Sequence, residues 1–127
     1  MFNKLEIVKQ NVGIDVSKEH IDAAFSCLTA DFKEVVVSTR KFSNTSKGFH
    51  QLRDWVKGKQ HPNHALRFTM EATGVYHEGL AYYLLEQSYF VHIVLPNKAK
   101  KFAQSLGLRS STDKIDARML AKMGLER

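Results

Sequence analysis

Residues 12–25 read Val12-Gly13-Ile14-Asp15-Val16-Ser17-Lys18-Glu19-His20-Ile21-Asp22-Ala23-Ala24-Phe25. Val12, Ile14 and Val16 alternate at period two, which puts them on one face of a strand. The polar triplet Ser17-Lys18-Glu19 breaks the run. Ile21, Ala23 and Phe25 then resume the alternation. Two such runs across a short break are antiparallel neighbours in a hairpin. A third run over 35–42, opening with three β-branched residues, follows a second break at Thr29-Ala30-Asp31. The chain therefore opens as a three-stranded meander over about 10–16, 20–28 and 35–42. Asp15 stands inside the first apolar run, where a carboxylate costs desolvation unless something pairs with it.

Beyond the meander the period changes. Asn44 or Thr45 can cap a helix to about residue 57, whose Phe49, Leu52 and Val56 share one face. After a polar turn, residues 66–70 read as a fourth strand, 76–87 as a second helix and 89–95 as a fifth strand. Pro96 opens a third helix that Gly107 stops near residue 106. Thr112 can cap a final helix over about 113–125. The order βββ-α-β-α-β-α-α predicts an α/β fold with a mixed five-stranded sheet flanked by helices, the element order of the ribonuclease H-like fold.

Composition narrows the partners. The 127 residues fit a single domain, and no apolar run approaches the length of a membrane span. The N-terminus lacks a signal-peptide pattern, so a cytoplasmic protein is expected. Cys27 is alone, which excludes an internal disulfide and a cysteine zinc cluster; its apolar neighbours mark it as a buried small hydrophobe. The net charge is +6, and most of the excess lies in residues 97–127. There Lys98, Lys100, Lys101, Arg109, Lys114, Arg118, Lys122 and Arg127 face only Asp113, Asp116 and Glu126. Such a segment suits a polyanion, although a basic helix face is solvated more often than it binds one.

Four acids are the candidate chemistry. Asp15 lies in its apolar strand. Glu71 follows the strand Leu66-Arg67-Phe68-Thr69-Met70, at a strand end where sheets of this type place ligands. Asp113 and Asp116, three residues apart, share one face at the start of the last helix, a position that also suits ordinary helix-start acids. Clustered carboxylates repel one another and call for a cation. Oxygen-only ligands select Mg2+ or Mn2+, and two such ions about 4 Å apart can activate a water or a 3′ hydroxyl against a phosphodiester.

Three stretches resemble the N-terminal domain of the DEDD transposases, the insertion-sequence family that includes the Piv-type DNA invertases. They are Val12-Gly13-Ile14-Asp15-Val16-Ser17-Lys18, then Met70-Glu71-Ala72-Thr73-Gly74-Val75-Tyr76, then Leu106-Gly107-Leu108-Arg109 leading to Thr112-Asp113-Lys114-Ile115-Asp116-Ala117-Arg118-Met119-Leu120-Ala121. The resemblance spans essentially the whole chain. It implies a RuvC-like catalytic domain over 1–127, the N-terminal part of a longer transposase. It makes Asp15, Glu71, Asp113 and Asp116 the four acids of a site binding two Mg2+ or Mn2+ ions. It implies DNA cleavage and strand transfer, a guide RNA from the same element, and a homo-oligomer in the full-length protein. Lys98, Lys100, Lys101, Arg109 and Lys114 are the expected nucleic-acid contacts. Ser111 departs from the lysine that many members carry, and the family's second, serine-containing domain has no counterpart here.

Two alternatives stay open: a stand-alone RuvC-like junction-resolving nuclease, and a non-catalytic remnant that binds nucleic acid. An actin-like ATPase is disfavoured, since no Gly-rich phosphate loop is present. Several other residues have plain readings. Gly74 turns the chain after Glu71, His61 and His64 lie solvated in a polar loop, Trp55 is semi-buried on its helix, and Tyr82 and Tyr83 divide between surface and core.

Overall fold

A computed structural model describes residues 6–72, 74–107 and 116–126. The three opening strands are β1 (Ile7–Val16), β2 (His20–Thr29) and β3 (Glu34–Ser43). They form the expected antiparallel meander, each reaching a little beyond its apolar run. α1 (Ser46–Lys57) follows, with the Thr45 hydroxyl accepting the Gly48 N–H at its start. Then come β4 (Leu66–Glu71), α2 (Glu78–Glu86), β5 (Phe90–Val94), α3 (Pro96–Ser105) and α4 (Ala117–Glu126). The sheet runs β3-β2-β1-β4-β5, with β4 parallel to both β1 and β5.

Alternation along each strand splits the sheet into two faces. Val12, Ile14, Val16, Ile21, Ala23, Phe25, Phe68 and Met70 form one core with Leu52 and Val56 of α1 and Leu80 and Leu84 of α2. Trp55 packs at the edge of this core, with its ring against Phe25 and Phe42. Cys27 is buried, and burial raises its thiol pKa. Tyr82 is exposed while Tyr83 is half-buried against the core, as expected.

α4 covers the opposite face. Ala24 packs on Ala117 and Ala121, and Leu120 and Met123 join Val94, Ala99, Phe102 and Ala103. Two glycines permit the close approach. A Cβ on Gly13 would enter the backbone of Ala117 and Ala121, and one on Gly124 would enter the side chains of Asn11 and Thr69. The buried Asn11 amide donates to the Ala121 carbonyl at 3.1 Å and accepts the Thr69 hydroxyl at 3.1 Å. Lys9 Nζ donates to the Leu125 carbonyl at 3.0 Å, at the end of α4 where a cation suits the helix dipole. Lys122 bonds Glu34 of β3. The helix is thus fixed in both register and direction.

Three expectations need correction. α2 starts at Glu78, two residues late, because residues 74–77 form a turn in which Gly74 adopts φ +59°. His61 and His64 are half-buried rather than solvated, since the Gln10 amide donates to both of their carbonyls. The described part of the last helix begins at Ala117, with Asp116 ahead of its first turn as the cap. The proposed cap Thr112, with Asp113, Lys114 and Arg109, lies outside the described residues.

Candidate active site

Parallel pairing brings two of the acids side by side. Ile14 of β1 pairs with Met70 of β4, and the next residue on each strand is an acid, Asp15 and Glu71. Ile14 and Met70 face the α1–α2 core, so Asp15 and Glu71 fall on the α4 face at the strands' carboxyl ends. Both are half-buried and both have interaction partners.

α4 runs back along β1, and this direction brings its N-terminus to the same place. Asp116 Oδ1 accepts the Met119 N–H at 2.9 Å, and its carbonyl accepts the Leu120 N–H at 3.0 Å. Asp116 therefore serves as the helix cap, as the plainer reading of this residue requires. It also lines one open cavity of about 450 Å3 together with Asp15.

That cavity contains residues the sequence reading missed. Asp22 stands opposite Asp15 in the β1–β2 ladder, and Lys41 stands opposite Asp22 in the β2–β3 ladder. Lys41 Nζ lies 3.9 Å from the Asp22 carboxylate. Arg118, in the first turn of α4, is on the wall. The signal for Asp22 was present: a tight turn in which the Ser17 N–H reaches the His20 carbonyl pairs Val16 with Ile21 and hence Asp15 with Asp22. The signal for Arg118 was only its place beside Asp116.

Lys98, Lys100 and Lys101 are exposed on α3, which starts beyond the carboxyl end of β5. They do not line the carboxylate cavity. Among the described residues, no group of three or more His, Cys, Asp or Glu gathers closely enough to hold a metal ion. The donor chemistry nonetheless fits a hard divalent cation, because the acids of this region offer carboxylate oxygen alone. Among the described residues, no helix is long and apolar enough to cross a membrane.

With this geometry in hand, the likeness to known proteins is specific. The model of the IS110-type DEDD transposase family, described as transposase, matches residues 12–127. The chain belongs to that family. The chain is also similar to the pilin gene-inverting proteins of Moraxella bovis and Moraxella lacunata, each 34% identical over 116 residues that make up 91% of this chain. The chain spans 34% of the length of those relatives. Among solved structures, Thermus thermophilus RuvC in complex with a Holliday junction substrate superposes with a TM-score of 0.56 at 14% identity, covering 91% of this chain and 97% of RuvC. The yeast mitochondrial Holliday junction resolvase Ydc2 gives 0.52 at 16% identity, covering 80% of this chain and 60% of Ydc2. This IS110-type chain therefore has the RuvC-like, ribonuclease H-like fold expected from its element order.

Proposed function

We propose that this chain is the catalytic domain of a DNA transposase or site-specific recombinase, cleaving and transferring phosphodiesters with Asp15, Glu71, Asp113 and Asp116 as its metal-binding acids. The observation that supports this reading is the convergence of Asp15 and Glu71 on adjacent parallel strands, beneath a helix whose cap, Asp116, lines the Asp15 cavity. Membership of the transposase family and kinship with gene-inverting proteins point the same way. The full-length protein's guide RNA and self-assembly belong to this reading as its further terms.

Each described acid has a separable task. Asp15 and Glu71 project from strands locked by ladder hydrogen bonds, which gives their oxygens a rigid base. Asp116 accepts a bond from its own helix through Oδ1, and the residue also lines the cavity. These residues would hold Mg2+ or Mn2+, two ions in the fullest form. A bound divalent cation supplies Lewis-acid polarisation and lowers the pKa of a nucleophilic water. Lys41 and Arg118 add positive charge on the cavity walls, where a phosphodiester must approach the acids.

Calorimetry with Mn2+ tests the reading directly. Wild type should bind Mn2+ and gain melting temperature, because a ligand selective for the folded state stabilises it. Asp15→Asn should lose both effects. Equal Mn2+ affinity in the two proteins would overturn the assignment.

A further inference from the structure

At the β5 edge, on the α4 face, a second set of charged side chains converges without a carboxylate. Arg67 pairs with Phe90 across the parallel β4–β5 ladder, and His92 lies two rows further along on the same face, beside Thr69. Arg67, Phe90 and His92 line a cavity of about 730 Å3 toward the amino ends of these strands, and Glu71 is not among the residues lining it. His92 also lines a smaller cavity of about 410 Å3 with Lys98 and Lys101 of α3. No Asp or Glu is among the described residues lining either cavity.

Arg67 is half-buried and, among the described residues, forms no ion pair. The Nδ1 of His92 is buried and has no hydrogen-bond partner among the described residues. Burial, then the charges of Arg67 and Lys98, hold the His92 imidazole below its ordinary pKa. Arg67 and Lys98 thus set two positive charges around a half-buried imidazole, an arrangement that an anion would relieve. Lys9, also on the wall, is already committed to the Leu125 carbonyl. Phe90 is 65% exposed beside Arg67, so a large aromatic face borders the cationic cavity. Cations beside an open aromatic ring are the elements of single-strand recognition, in which phosphates are neutralised while bases stack.

We propose that this edge is a second nucleic-acid site, separate from the carboxylates, where Arg67, His92 and Lys98 hold a backbone phosphate and Phe90 stacks the base of an unpaired nucleotide. The site would let the domain hold one strand at the sheet edge independently of the strand at the acids.

The test measures binding of a short labelled oligothymidylate to the chain in EDTA, across a salt series, beside inorganic phosphate as a second probe. Phe90→Ala, at an exposed position, should weaken oligothymidylate binding at least about five-fold and leave phosphate binding unchanged. Arg67→Gln combined with Lys98→Ala should flatten the slope of log affinity against log salt by about 0.7, one single-strand phosphate contact. Inorganic phosphate should raise the His92 pKa followed by NMR, since an anion favours imidazolium. Oligothymidylate affinity and slope that ignore all these substitutions, in variants whose amide spectra stay folded, would overturn the site. Phosphate binding without any Phe90 effect on the oligonucleotide would assign the cavity to free phosphate and overturn the nucleotide proposal. Mn2+ calorimetry on Phe90→Ala serves as the control: this variant should bind Mn2+ as wild type does while losing oligothymidylate affinity, so the two readings fail separately.

Discussion

Asp15 and Asp22 stand directly opposite each other across the β1–β2 ladder, and both line the cavity that Asp116 closes from the α4 side. Directly opposed side chains have Cβ atoms only about 5 Å apart, and like charges in that position repel. Lys41, next in the same row, offsets part of this repulsion.

Removing that cation should have opposite effects on two measurements. Lys41→Ala should lower metal-free stability by no more than about 1 kcal/mol, as befits an exposed pair. It should also tighten Mn2+ binding, because a competing positive charge is gone. Urea unfolding in EDTA and calorimetry with Mn2+ read the two effects. Unchanged Mn2+ binding in the variant would place Lys41 outside the field of the acids.

The two roles of Asp116 can be separated. Asp116→Asn keeps an acceptor for the Met119 N–H, so stability should stay within about 1 kcal/mol of wild type. Asp116→Ala removes the cap and should cost about 0.5–2 kcal/mol. Both should lose Mn2+ affinity by ten-fold or more if the carboxylate is a ligand. An Asp116→Asn protein that binds Mn2+ like wild type would leave only the capping role.

Gly13 links packing to the site. Gly13→Ala pushes a methyl group into the α4 backbone at Ala117 and Ala121. Neither element can give way cheaply, and such overpacking costs about 1–3 kcal/mol, occasionally more. Because α4 carries Asp116 over Asp15, the displaced helix should also weaken Mn2+ binding. Denaturation and calorimetry on one variant check both. Unchanged stability would mean that the helix rides higher on the sheet than its glycines indicate.

His92 should make the fold sensitive to acid. Its folded-state pKa is lowered, by burial first and then by Arg67 and Lys98, so the unfolded chain binds the proton more readily. Its contribution to stability is therefore complete above the unfolded value of about 6.5 and declines as pH falls below it. His92→Gln should flatten the pH dependence of melting temperature over that acidic range. Inorganic phosphate should flatten it too, if the anion favours the imidazolium. A wild-type profile identical to that of His92→Gln would remove the effect.

The meander, the alternating helices and strands, and Asp15 and Glu71 as candidate acids were legible in the linear sequence. Period-two and period-3.6 patterns report which side chains share a face, and an acid breaking such a pattern is visible without coordinates. The short turn at 17–19 also sets the Asp15–Asp22 pairing. Only the tertiary structure decided that β1 and β4 are adjacent and parallel, which brings Asp15 beside Glu71 across 55 intervening residues. It alone decided that α4 lies over Gly13, with Asp116 as cap and cavity wall at once. It likewise gathered Arg67, Phe90, His92 and Lys98 at one edge. The physical reason is range. Backbone periodicity is a local property that neighbouring residues impose on one another, whereas strand order and helix docking are settled by burial and by close contacts between distant segments, which no local pattern records.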